Sequence, residues 1–472
     1  MFAYEISKVN PSSSIAIIEK GKHLKDRKCP INLGMTDKCL NCEECAIMSG
    51  IAGGGAFSDA KFNITTEYGG WINEYISNSV ALYYMNKLDY ILKLMNSKSI
   101  EAMKNKTYIY NDDIFKRYKP NDELKKKALE NDLHLLQGEV SHFGTDGIYN
   151  IMINLEEYLL SCDNVDFYCN TNIRSYNIDL NNKLITNNEN EKFIFHNLIL
   201  AVGRSGSAMF KDFCEYNGTE TFNNQIDIGV RVEVPRIICE NVSKQIYEPK
   251  IKYLTKKHRD IVRTFCFNSG GEVVTENTDG ILTVNGHANS NEKLKTENSN
   301  FAILSTHNFT EPFNEPIEYL QNVARLANML GGDKIISQLF GDLIDGRRST
   351  EKRISESTVK PTLKSHTPGD LSLVIPSAAM DNIIEMIYQL DKFMPGIANH
   401  DTILYGVEAK YYSCRPKFID KSMFKIHEKN VYAIGDGAGV SRSLSQAGAM
   451  GLYLADMLNK NILGDTSWDG DL

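Results

Sequence analysis

The 472-residue chain is short of several features that would each settle its class. It has no apolar run near the roughly 18 residues a membrane span needs, so no membrane partner is expected. It has no excess of positive charge. Its 52 basic and 60 acidic side chains give a net charge of −8, and the pI is about 5.8. That balance gives no support to a nucleic-acid partner. The first residues carry Glu5, Lys8 and Glu19 and no signal-peptide core, which predicts a cytoplasmic protein. There is no internal repeat and no G-x-G-x-x-G, so no separate nicotinamide-binding domain is expected.

What is there is an ordinary globular composition, 42% hydrophobic and 24% charged, in a chain long enough for two or three domains. The start reads as helix through Met1–Ser7, then as the apolar strand Ser14-Ile15-Ala16-Ile17-Ile18, closed by Glu19-Lys20-Gly21. Helix, buried strand and terminal acid form the second half of a dinucleotide-binding βαβ unit. In such a unit an acid about 20 residues past the glycine loop accepts hydrogen bonds from a ribose. Glu19 fits that place, or it is simply a charged strand end before a turn. The count back from Glu19 puts the last fingerprint glycine at or just before Met1. Either the start has been assigned at an internal methionine, which is the expectation, or the chain is truly truncated.

Helices are predicted over 71–97, 122–139 and 147–161. A strand is expected at 166–169, a hairpin over 174–195 turning at Asn181-Asn182, and a buried strand over 197–203. From about 217 the texture changes to alternating stretches such as Asp227–Glu233, with helices at 316–330 and 378–392. Near Leu404 the first texture returns. Val431–Asp436 reads as strand into loop and 444–459 as the closing helix.

Several constellations carry chemistry. Val431-Tyr-Ala-Ile-Gly435-Asp436-Gly-Ala-Gly is followed by small residues including Gly448. Gly-Asp at a strand end before a small-residue helix suits a flavin. The acid bonds linker hydroxyls, the helix N-terminus faces the electron-rich edge, and small residues admit the ring. The same residues also suit a plain strand–turn–helix. Ala201-Val-Gly203 ends the other buried strand and gains meaning as its partner. Gly53-Gly54-Gly55-Ala56-Phe57-Ser58-Asp59 could converge backbone N–H groups on an anion or a ring, or be a flexible loop. Cys29, Cys39, Cys42 and Cys45 place four thiols within 17 residues. They suit Zn²⁺, an Fe–S cluster or a dithiol beside a flavin, with free loop thiols as the plain alternative. His142 and His287 are candidate catalytic groups. Arg347, Arg348, Arg353 and Lys360 could hold an anionic substrate.

Together these segments resemble a family of bacterial FAD-dependent dehydrogenases of the glutathione-reductase-like flavoprotein class. The resemblance rests on Glu19-Lys20-Gly21, Arg27-Lys28-Cys29-Pro30, Cys39/Cys42/Cys45, Gly53–Asp59, His142–Asp146, Ala201–Gly203, Asp227–Arg231, Arg348-Ser-Thr350 and Gly435-Asp436. It implies an α/β fold: an incomplete Rossmann-like FAD-binding domain over 1–216 and 401–472, with an inserted mixed β-sheet and helix substrate domain over 217–400. It implies FAD as cofactor, held by Glu19, Lys20, Gly54, Gly55, Ala56, Ser58, Asp59, Ala201, Gly203, Gly435, Asp436 and Gly448. The expected activity is an FAD-dependent oxidoreductase acting on a small-molecule substrate or redox partner, with NAD(P)H as a transient reductant. An RNA-modifying flavoenzyme is disfavoured by the acidic pI. The competing expectation is a flavin-free binding or scaffold protein with a metal at the cysteine loop.

Overall fold

The computed structural model describes residues 1–36, 40, 42–58, 60–96, 122–136, 138–246, 248–278, 280–287, 293 and 295–463. They form two compact units. One holds the described residues of 1–117, 138–222 and 413–472, the other those of 118–137 and 223–412.

The first unit is built from short parallel strand pairs and long helices. Ile15–Ile18 runs parallel to Val165–Tyr168, with Ile15 opposite Val165. Leu198–Leu200 runs parallel to Val431–Ala433, and Lys425–His427 pairs antiparallel on the far side. Parallel neighbours need a crossover, and the helices Gly144–Leu160 and Ser207–Tyr216 lie in the intervening chain. The helices Phe2–Val9, Asn78–Asn96 and Leu444–Leu463 pack on one core with Tyr4, Leu88, Ile91, Ile151, Phe210, Met450 and Leu454. Gly448 and Gly451 let this packing close up. A Cβ on Gly448 would lie 2.6 Å from Leu88 Cδ2, and one on Gly451 would lie 3.0 Å from the Phe2 nitrogen.

Local chemistry moved some boundaries. The segment expected to be helical from 71 holds a short 3₁₀ turn at Ile72–Glu74, and the α-helix starts at Asn78. Residues 174–195 make a three-stranded meander, not a single hairpin: Ile178–Asp179, Leu184–Thr186 and Lys192–Ile194. The helix expected over 122–139 ends at Leu129. Asp132 takes a left-handed φ of 54° just beyond it, and the buried Leu133 and Leu135 follow, the latter on the strand His134–Leu135 of the same second unit.

That unit is organised on one eight-stranded mixed sheet. Its order is His366–Pro368, Ile335–Leu339, Ile403–Lys410, Ile226–Pro235, Asn298–His307, Ile261–Asn268, Ile251–Leu254 and His134–Leu135. Ile403–Lys410 lies between two strands of this sheet, so the chain leaves the second unit only after Tyr412. The central strand Ile226–Pro235 is buried from Ile226 through Val234. Its alternation sends Ile228, Val230, Val232 and Val234 into an apolar core with Ile383, Met386 and Leu390 of the helix Ser377–Phe393. Asp227, Arg231 and Glu233 take the other face.

Burial of three charged side chains in one strand requires partners. Arg231 meets Glu408 at 3.2 Å, and its Nε and Nη2 donate to Asn300 and to the Cys266 carbonyl. Asp227 accepts from Arg263, Thr306 and Tyr412, each at 2.6 Å. Glu233 accepts from Tyr405 and Thr362 at 2.5 Å and from Asn298 at 3.1 Å. Burial still pushes the Glu233 carboxyl above the ordinary carboxylate range, against the opposing pull of these donors.

Candidate functional site

In the first unit, Leu198–Leu200 and Val431–Ala433 are parallel and in register, so their carboxyl ends reach the same edge. Ligands of parallel α/β sheets bind at such edges. Each strand runs into a turn that only glycine enters without strain. Gly203 has φ 62°, and Gly435 has φ 76° and ψ −161°. The two turns interlock, since a Cβ on Gly437 would lie 2.7 Å from Val202 and 2.9 Å from the Gly203 nitrogen. Facing outward, the backbone is bare. Among the described residues, chain neighbours aside, nothing lies within 4 Å of where a Gly203 Cβ would stand, and only Ala447 Cβ, at 3.9 Å, approaches that of Gly435.

Asp436 ties this edge together. Its Oδ1 accepts from the Ser441 hydroxyl at 2.5 Å and its Oδ2 from Arg204 Nε at 3.4 Å. Burial raises the Asp436 carboxyl above its usual range, and the Arg204 and Arg442 charges and the Ser441 bond act against that rise. The closing helix Leu444–Leu463 begins just beyond. Ser443 Oγ accepts from the Gln446 amide at 3.2 Å, satisfying one first-turn donor.

Two further turns are fixed against that helix start. Gly69 and Gly70 have φ of 91° and 134°. They are held by the Trp71 amide on the Val440 carbonyl, the Arg442 amide on the Gly69 carbonyl, and Gln446 Nε2 on the Tyr68 carbonyl. The 3₁₀ turn Gly53–Phe57 meets the helix through Gly55, whose Cβ would lie 2.8 Å from Leu444. Gly54 abuts Met48, Ala56 is fully buried, and Ser58 Oγ closes the turn on the Gly55 carbonyl. Arg27 lies beneath. Its guanidinium donates to the carbonyls of Ala46, Ile47, Ile51 and Gly53, and Phe57 covers it at 4.8 Å. Burial lowers the Arg27 pKa from its ordinary value.

Glu19 joins the same assembly. Its Oε1 accepts from the amides of Gly21 and Gly50, at 2.9 and 3.0 Å, so one carboxylate oxygen holds two glycine turns together. Lys20 pairs with Glu44. Ala201 is exposed at the end of its strand. Gly448 faces Leu88, so helix packing accounts for its size.

The other sequence-predicted groups are dispersed. His142 stands opposite Lys61 on a two-stranded ladder of the first unit. His287 belongs to the second unit, exposed at the end of the hairpin strand Ile281–His287, opposite Glu272. Cys29 is partly exposed and Cys42 and Cys45 are exposed free thiols. Cys39 and Asp59 lie outside the described residues. Among the described residues no three His, Cys, Asp or Glu side chains converge as metal ligands.

The expected anion-binding arginines of the second unit are used internally. Arg347 pairs with Asp342 at 2.6 Å and Asp345 at 3.0 Å. Arg353 donates to the Arg348 carbonyl, and Lys360 to those of Ser355 and Ser357. Composition shows four cations close in sequence but not the acids and carbonyls that absorb three of them.

The helical spacing over 71–97 includes Trp71 and the resemblance includes Arg27, but the linear pattern assigns no role to Gly69-Gly70, Gln446, Arg415 or Arg442. The glycine pair directly before a tryptophan was the available signal for the turn. Nothing in the linear pattern connects Arg27 to four carbonyls up to 26 residues away.

Comparison with known proteins adds the following. Residues 225–411 match the family described as FAD-dependent protein, C-terminal domain-like. A Clostridium beijerinckii protein, described as uncharacterized, is 25% identical over 338 residues, which is 67% of this chain and 61% of that protein. The chain thus spans less than two thirds of that relative's length. Glycine oxidase from Geobacillus kaustophilus superposes with a TM-score of 0.36 at 9% identity, covering 98% of this chain and 91% of that one. PqsL of Pseudomonas aeruginosa, described as a probable FAD-dependent monooxygenase, gives a TM-score of 0.30 at 8% identity, covering 82% and 85%.

Proposed function

We propose that this chain is an FAD-dependent oxidoreductase whose flavin is held by the first unit. The observation that carries the reading is the glycine-lined edge where the Leu198–Leu200 and Val431–Ala433 strands end beside Asp436 and the start of the Leu444–Leu463 helix. The match of residues 225–411 to a family described as FAD-dependent supports it.

The residues fit the group. Gly203 and Gly435 offer bare backbone where a Cβ would stand, and Asp436 is a carboxylate already oriented by Ser441 and Arg204. The helix N-terminus places partial positive charge behind it. Bound there, a flavin would supply two-electron acceptance from a substrate. The protein's share is to orient the ring by backbone contact at Gly203, Gly435 and the Gly53–Phe57 turn, and to hold the linker hydroxyls at Asp436. A small-molecule donor and a transient nicotinamide reductant belong to the same proposal, as does a cytoplasmic setting.

The test is flavin content. Purified protein should show flavin absorbance and release FAD on denaturation. Asp436→Ala should lower affinity by about tenfold or more, the scale of one lost hydrogen bond to a charged group. Full flavin occupancy in that variant at limiting FAD would refute the role given to Asp436. A colourless wild-type protein that takes up no FAD would refute the flavoenzyme reading itself.

A further inference from the structure

The helix Pro316–Gly331 is apolar on both faces. It begins with a proline in its first turn and ends at Gly332, whose φ of 61° closes it. Its 16 residues span about 24 Å at 1.5 Å per residue. One stripe, with Leu320, Ala324 and Ala327, is buried within the second unit. The opposite stripe carries Tyr319, Leu326, Met329 and Leu330, exposed at 39%, 40%, 67% and 44%. Glu318, Asn322 and Arg325 share it and are exposed too. At 100° per residue these seven positions fall within about 140° of one another, so they form one continuous face. Phe313, 69% exposed, stands just ahead of the helix. A helix that is apolar all round belongs inside a protein, and an apolar face left on its surface marks a contact.

The polar residues of this face point to what covers it. Asn322 lies near its centre, with Glu318 four residues before it and Arg325 three after. Arg325 Nη1 donates to Asn322 Oδ1 at 2.9 Å, and among the described residues neither Glu318 nor Arg325 has an oppositely charged partner. A second copy of the helix, laid antiparallel across a two-fold axis at Asn322, sets position 318 of one copy opposite 326 of the other, and 319 opposite 325. Each Glu318 then comes within one residue, about 1.5 Å of rise, of Arg325 in the other copy. The symmetry makes that pair twice. Tyr319 falls beside Leu326 of the other copy, and Asn322 meets an identical amide at the axis, where each can donate and accept. A parallel copy would instead set Glu318 against Glu318 and Arg325 against Arg325.

We propose that this face is a homodimer interface. Two copies of the chain pack through Pro316–Gly331, antiparallel about Asn322, with reciprocal Glu318–Arg325 pairs flanking an apolar contact of Tyr319, Leu326, Met329 and Leu330. The proposal goes beyond the flavoenzyme reading and is independent of it, since no group of the candidate flavin site takes part.

Sedimentation equilibrium of the full chain tests it. The expected species at about 10 µM has twice the 53.2 kDa mass of the single chain. Leu326→Glu should weaken dimerisation about a hundredfold, because a central contact is lost twice across the axis. Glu318→Arg and Arg325→Glu each set like charges opposite one another and should each weaken it about tenfold. The double variant Glu318→Arg/Arg325→Glu exchanges the signs and should return to near the wild-type Kd. These side chains are exposed, so every variant should keep the wild-type melting temperature. A chain that stays monomeric up to about 100 µM would overturn the proposal. So would a dimer whose Kd is unchanged in Leu326→Glu at a native melting temperature, since its contact must lie elsewhere. A double variant no tighter than the two single ones would overturn the antiparallel arrangement. A monomer that sediments with phosphatidylcholine vesicles, and stops doing so in Leu326→Glu, would assign the face to a lipid surface and overturn the second copy.

Discussion

The sheet of the second unit and the candidate site of the first satisfy their polar groups in opposite ways. In the second unit the polar groups are side chains, buried inside a continuous eight-stranded ladder and each matched by side-chain partners: Arg231 with Glu408, Asp227 with Arg263, Glu233 with Tyr405 and Thr362. The first unit also buries ion pairs, Lys93 with Asp89 and Lys87 with Glu5. Its ladders are short, however, and around the candidate site the groups to be satisfied are backbone amides and carbonyls in glycine turns. Side chains reach in to satisfy them: Arg27 for four carbonyls, Glu19 for two amides, Gln446 for the Tyr68 carbonyl. A sheet with paired side chains is rigid and closed. Turns held by a few side chains leave backbone facing outward, which is what a ligand needs. The contrast explains why the candidate site lies in the less regular unit.

The sharpest way to break this comparison is to remove half of a buried pair. Glu408→Ala should destabilise the second unit by about 3–5 kcal/mol, because Arg231 is left charged and buried. Urea denaturation of the full chain measures it. A loss under about 1 kcal/mol would mean the pair is not what holds that face.

Arg27→Ala should cost about 2–4 kcal/mol through several lost bonds to carbonyls. The signature is local: faster proteolysis and amide exchange across residues 45–57, with the Ile226–Pro235 strand unaffected. Equal exchange changes in both units would erase the distinction drawn between them.

Gly435→Ala forces a side chain into φ 76°, at about 1–3 kcal/mol. Gly448→Ala meets the flexible end of Leu88 and should cost about 1–2 kcal/mol. The two separate by flavin affinity, which should fall for Gly435→Ala and hold for Gly448→Ala. The opposite ranking would exchange their roles.

The smallest effect is a pH dependence. Because the folded Glu233 carboxyl titrates above its unfolded value near 4.3, its protonated form is the one favoured by folding. Its contribution is full below that value and is lost as pH rises through the folded pKa. The stability difference between wild type and Glu233→Gln should therefore shift against wild type across that window, by about 1.4 kcal/mol for each unit of pKa rise. A difference that is flat with pH would show that the donors from Tyr405, Thr362 and Asn298 fully offset burial.

Much of this molecule is legible in the linear sequence, because its signals are periodic or steric. Alternation over Asp227–Glu233 and the helical spacing over 147–161, 316–330 and 378–392 identify elements whose pattern depends only on neighbours along the chain. The glycines at 203 and 435 mark turns for the same reason, since the absence of a Cβ acts locally. Tertiary structure alone decided which polar groups meet. The Arg27 guanidinium finds its carbonyls 19 to 26 residues away, Trp71 lies far along the chain from Arg415 and Arg442, whose guanidiniums lie against its ring, and Arg263 meets Asp227 36 residues away. The physical reason is that hydrogen bonds and ion pairs act over a few ångströms in space, whereas propensity and periodicity act over a few residues in sequence.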